Sequence, residues 1–138
     1  MYYIKLIMKN TIFKILGYLY YFSLVILFIL YLFPGSIIGY FLYGNLTQQP
    51  DLIPNPIGTS INHLISFICL SFLAFITRIR KKKFINSFKF LFFISILLEI
   101  LHYFIPNRSF EYYDLFANFI GVILAYLFIK LIIKIKMK

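Results

Sequence analysis

Four apolar runs divide the chain, each bounded at both ends by polar or turn-forming residues. The first, residues 15–33 (ILGYLYYFSLVILFILYLF), carries no charge over 19 positions, close to the ~20 residues with which an α-helix crosses ~30 Å of hydrocarbon. The second, residues 61–77 (INHLISFICLSFLAFIT), stops at the RIRKKK run. The third covers about 84–105 and the fourth about 112–133; Lys89 and Lys130 each lie near the basic end of their run, where a long side chain can reach the headgroups. Between the first two runs, residues 34–60 are dense in Gly, Pro, Asn and Gln, read as the longest loop. That loop is too short for a hydrophobic core of its own. The pattern predicts an all-α membrane protein, a four-transmembrane-helix bundle forming a single domain over residues 1–138.

Charge sets the orientation. Lys5, Lys9 and Lys14, then Arg78, Arg80, Lys81, Lys82 and Lys83, then Lys134, Lys136 and Lys138 flank the apolar runs, whereas residues 34–60 contain no Lys or Arg. Basic flanks stay cytoplasmic, so both termini are expected inside and the loops at 34–60 and 106–111 outside. The same placement assigns the net charge of +10 to anionic lipid rather than to nucleic acid. A lysine-rich start can also open a signal peptide, but this run is long for one and no small-x-small cleavage site follows, which favours a retained anchor. The lone cysteine, Cys69, excludes an intrachain disulfide and reads as a small buried hydrophobe.

The chemistry gathers on one predicted side. The four acidic residues are Asp51, Glu99, Glu111 and Asp114; all fall in outer loops or outer span halves, with His63, His102 and Arg108. Counted from the run ends, Glu99 and Asn118 each lie ~9 Å deep and level with each other. A carboxylate inside a span needs a partner, a proton or water, and Arg108 is the expected partner, able to hold a carboxylate or a phosphate by paired hydrogen bonds. Asp114 could instead cap the fourth helix. Ala117, Gly121 and Ala125 recur at every fourth position, a narrow face for helix packing, and Asp114, Asn118 and Gly121 share a face. Glu99-x-x-His102 has the spacing used in di-metal bundles. With no second such motif, no metal and no cofactor is assigned.

The stretch EILHYFIPNRSFEYYDLFANFIG resembles the Glu-x-x-Gln, Arg, Asp-x-x-x-Asn-x-x-Gly pattern of VanZ-like membrane proteins, with Glu99, Arg108, Asp114, Asn118 and Gly121 matching. His102 stands where that pattern has Gln. Upstream, His63 matches the family's Asp-Lys-x-x-His stretch, and Thr59 replaces its Asp. The resemblance spans about residues 59–130 and implies a bacterial inner-membrane, multi-pass protein of the cell envelope. Its namesake is linked to resistance to the glycopeptide teicoplanin.

Three functional classes remain open. One binds a lipid-linked or anionic headgroup through Arg108, Glu99, Asp114, Asn118 and His63, with membrane lipids and a cell-wall precursor or envelope protein as partners. A membrane enzyme would use Glu99, His102 or Asp114 as acid or base. A small proton-coupled exporter would use Glu99 alone, although its depth is shallow for that role. Oligomeric state is left open.

Overall fold

The computed structural model describes residues 2–50, 60–79 and 82–136, with side chains between residues 10 and 135 of those segments. Asp51, Thr59, Arg80, Lys81 and Lys138 lie outside the described residues. Five α-helices follow in order: α1 (Tyr2–Leu32), α2 (Ile37–Tyr43), α3 (Ser60–Arg78), α4 (Phe88–His102) and α5 (Tyr112–Lys136), with a 3-10 turn at Phe84–Asn86. No strand occurs among the described residues.

Three helices are long and apolar enough to cross a membrane, over Asn10–Leu32, Ser60–Arg78 and Tyr112–Ile135. The expected third span is shorter than the 84–105 run suggests. α4 has 15 residues, ~22 Å of helix against ~30 Å of hydrocarbon, and polar groups set both its ends. Asn86, buried, accepts from the Lys83 amide at 3.0 Å and closes the 3-10 turn. The Ser87 hydroxyl then caps α4 by accepting from the Phe90 amide at 3.2 Å. At the far end the chain turns after His102 through Pro106, which disfavours helix in the residue before it, and Asn107, which adopts the left-handed φ of 58°. Hydropathy registers none of these hydrogen bonds, so it overruns both ends.

The 34–60 segment also departs from its reading as loop. α2 forms inside it because Ser36 caps the first turn, accepting from the Gly39 amide at 2.9 Å, and Gly44 closes the last at φ 68°.

Neighbouring helices alternate in direction, so the ends of α1 and α4 meet the starts of α3 and α5. Tyr20, Leu24 and Leu27 of α1, Phe67, Leu70 and Ala74 of α3, Leu91 and Leu98 of α4, and Val122, Ala125 and Ile129 of α5 form the core. Large apolar side chains such as Phe22, Phe93, Tyr103, Tyr112 and Leu131 point outward, as expected of a surface solvated by acyl chains and interface. Cys69 is on this outer surface and not in the core. It falls between Phe67 and Leu70, which face inward, and a helix turns each residue ~100° from the last.

α3 and α5 form the most extensive pair. A Cβ on Gly121 would lie 2.8 Å from the Leu64 carbonyl oxygen and 3.1 Å from the Ile68 amide nitrogen, both backbone atoms of α3. Close backbone approach therefore depends on this glycine. Ala125 is buried one turn on, while Ala117 is only partly covered.

Gly121→Val is expected to destabilise the bundle by about 1–3 kcal/mol through overpacking, read as a lower unfolding midpoint in detergent. Gly17→Ala, where a Cβ meets nothing within 4 Å, should leave the midpoint unchanged or raise it.

Candidate functional site

Four helix ends converge on one polar cluster, and its centre is Tyr31 in the last turn of α1. The Tyr31 hydroxyl donates to Asn118 Oδ1 of α5 at 3.0 Å and lies 3.0 Å from His63 Nδ1 of α3. The Asn118 amide is oriented by its other end, Nδ2 donating to the Ser95 carbonyl of α4 at 3.5 Å. A tyrosine hydroxyl has one proton. With that proton on Asn118, His63 must carry hydrogen on Nδ1, and in the neutral imidazole its Nε2 then presents a lone pair.

That lone pair faces Asp114 Oδ2 at 3.3 Å. Asp114 sits in the first turn of α5, where the helix dipole favours a carboxylate. Its side chain does not cap its own helix: Oδ1 accepts from the Ser60 hydroxyl of α3, leaving Oδ2 for His63.

Glu99 is fully buried on α4. Its Oε1 accepts from the Glu111 amide at 3.1 Å and lies 3.4 Å from His102 Nδ1, one helical turn away. Its Oε2 has no hydrogen-bond partner and lies 3.9 Å from His63 Nδ1. His102 stacks on Tyr31 and donates from Nε2 to the Tyr31 backbone carbonyl at 3.1 Å. A carbonyl only accepts, so Nε2 carries hydrogen, and Nδ1 is the nitrogen turned to Glu99 Oε1. Because α4 ends at His102, Glu99 is three residues from its end, ~5 Å deep. Asn118 reaches the Ser95 carbonyl, which points along α4 toward Glu99 one turn on.

The expected Glu99–Arg108 pair does not form. Arg108 turns to α1, donating from Nη2 to the Leu30 carbonyl at 2.7 Å and from Nε to the Phe33 carbonyl at 3.5 Å. The reason is local. The last carbonyls of a helix lack intrahelical partners, α1 has no basic residue in its last turn, and Arg108 supplies the missing donors and the positive charge that a helix C-terminus favours. Burial lowers the pKa of Arg108 below its ordinary value, while Tyr31, Glu99 and Asp114 act in the opposite direction. A guanidinium stays charged under either influence.

His63, Glu99 and Asp114 each bring one possible ligand atom to within 4.8 Å of the other two, all three buried. A groove of about 470 Å³ lies at the opposite end of the bundle, lined by Lys14, Tyr20, Tyr21, Thr77, Lys83 and Asn86.

The VanZ/LLP1 family profile matches residues 2–133. The chain belongs to the VanZ/LLP1 family. No curated protein and no solved structure gives a significant match. In this VanZ/LLP1 chain, the motif stretch from Glu99 to Gly121 supplies the end of α4, the start of α5 and the turn between them, and folding brings Glu99, His102, Asp114, Asn118 and His63 together. The family match extends over α1 as well, and there sequence reasoning missed Tyr31. One tyrosine among six in α1 carries no periodic signal; only its buried place opposite His63 and Asn118 distinguishes it. Ser60 and Ser95 were missed for the same reason, since a serine in an apolar helix ordinarily reads as a spacer.

Arg108→Lys retains the charge but not the fork that reaches two carbonyls. It is expected to cost about 1–2 kcal/mol of stability, measured as a lower midpoint of denaturation in detergent. An unchanged midpoint would show that Arg108 does not hold the end of α1.

Proposed function

We propose that this VanZ/LLP1 protein is a multi-pass protein of a bacterial cytoplasmic membrane, with four crossings and both termini inside, whose outward-facing polar cluster binds the anionic headgroup of a lipid or lipid-linked cell-wall precursor. Arg108 carries this reading. It is only half-buried, is anchored by two neutral carbonyls instead of a carboxylate, and has no partner on Nη1 among the described residues. A positive charge held in place with one edge free is suited to a phosphate oxygen.

Support for a fourth crossing comes from the ends of α4. Tyr20 of α1 donates to the Ile85 carbonyl just before α4, and the Tyr31 carbonyl accepts from His102 at its end. α4 thus runs the depth of α1 between these tyrosines, and the flanking turns extend it. The basic residues at the opposite end support N-in, C-in. Changed glycopeptide susceptibility, teicoplanin included, is on this reading a consequence of occupying the outer leaflet where precursors are displayed.

A second reading, a membrane enzyme acting on such a headgroup, draws on the 3.4 Å contact between His102 Nδ1 and Glu99 Oε1, a pairing suited to acid–base work. The shallow position of Glu99 counts against proton-coupled export, which needs access from both sides.

Two measurements test these readings. In native mass spectrometry of purified protein, retention of phosphatidylglycerol over phosphatidylcholine should fall roughly tenfold in Arg108→Ala, in keeping with ~1.5–3 kcal/mol for a hydrogen bond to a charged group; equal retention counts against a headgroup site at Arg108. In a Cys69→Ser background, an impermeant maleimide on intact cells should label Asn45→Cys and spare Lys82→Cys. The reverse pattern would invert the topology.

A further inference from the structure

We infer that His63, Glu99 and Asp114 form a binding site for one divalent transition-metal ion of the zinc or manganese class. The observation behind it is three buried side chains that each bring a possible ligand atom to within 4.8 Å of the other two, one of them a carboxylate oxygen with no donor among the described residues. His63 Nδ1 is committed to Tyr31, so Nε2 faces Asp114 Oδ2 at 3.3 Å with no hydrogen of its own to offer. Glu99 Oε2 is buried, has no hydrogen-bond partner among the described residues, and approaches the same imidazole from its Nδ1 side at 3.9 Å. Acceptors turned together in a dry interior repel unless a cation or a proton lies between them.

Each ligand is also held from behind. Ser60 takes the other oxygen of Asp114, the Glu111 amide and His102 take the other oxygen of Glu99, and Tyr31 takes the other nitrogen of His63. Such outer hydrogen bonds are the usual means by which a protein aims metal ligands. The ligand atoms lie within 4.8 Å of one another, and an ion at ~2.0–2.2 Å from each would draw the widest pair together by roughly 1 Å. One imidazole and two carboxylates suit a borderline-hard divalent ion better than calcium or magnesium, which take oxygen donors.

Three protein ligands leave a coordination position open. Arg108 lies at the same end of the bundle, on the Leu30 and Phe33 carbonyls, where Glu99 and Asp114 act on its charge. An anionic oxygen could then meet the ion and the guanidinium together. This last step rests on the headgroup reading, but the ion site does not.

The test uses the full chain purified in a phospholipid-free detergent, stripped with chelator and titrated with Zn2+ and separately with Mn2+, with bound metal counted by mass spectrometry and affinity by calorimetry. One ion per chain is expected, with affinity lowered at least tenfold in Asp114→Asn and Glu99→Gln. Because those variants could also disturb folding, Ser60→Ala and Tyr31→Phe, which touch the ligands only from behind, are measured alongside. They should lower affinity about 10–100-fold while the Co2+-loaded protein keeps a visible spectrum. Failure of wild type to bind either ion stoichiometrically overturns the proposal, and so does binding unaffected by all four changes. Lipid is absent throughout, so the ion result stands apart from the phosphatidylglycerol measurement: an ion bound by a protein whose lipid retention does not depend on Arg108 would sink the headgroup reading alone.

Discussion

A single hydroxyl proton organises the polar end of this bundle. Tyr31 gives it to Asn118 and thereby fixes the tautomer of His63, which fixes what Asp114 and Glu99 must face. Among the described residues this hydroxyl joins α1, α3 and α5 in one buried network. In a low-dielectric interior an unmade hydrogen bond is costly, so the register of α1 against α3 and α5 is set at this point. Lower in the bundle the contacts are non-directional, Leu24 and Leu27 against Phe67, Leu70 and Val122, and such packing tolerates small slips that the Tyr31 network does not.

Arg108 extends the same constraint to the loop between α4 and α5. By capping α1 at Leu30 and Phe33 it ties that loop over the cluster, and it is thereby withheld from Glu99. Glu99 consequently relies on His102 and the Glu111 amide. A cluster arranged this way keeps one cation at its rim and a buried carboxylate oxygen, Oε2 of Glu99, without a donor. Stability alone would favour neutralising both. Their coexistence is the physical basis for treating this end of the molecule as a binding site and not as a helix clamp.

Much of this was legible in the sequence, and the parts that were not have specific causes. Hydropathy located α1, α3 and α5 because long uncharged runs in a lysine-rich chain leave little alternative. It overran α4 because Ser87 and Asn86 act through hydrogen bonds to particular amides, and it passed over α2 because Ser36 and Gly44 look like loop residues until they cap a helix. For the site, rarity was the signal: few acids, two histidines and one arginine outside the basic patches. Rarity cannot say who pairs with whom. Charge complementarity suggested Glu99 with Arg108, whereas the empty carbonyls at the end of α1 prevailed. Tyr31 was hidden among other aromatics, since partner choice there depends on the crossing of α1 with α3 and α5.

A double-mutant cycle on Tyr31→Phe and Asn118→Leu bears most directly on the central claim that this hydroxyl couples α1 to α5. Unfolding free energies of the two single variants and the double variant in detergent are predicted to be non-additive, with a coupling of about 1 kcal/mol or more, as for residues in one buried network. Additive effects would mean that the two side chains do not share a hydrogen bond, and the account of the cluster built on it would be wrong.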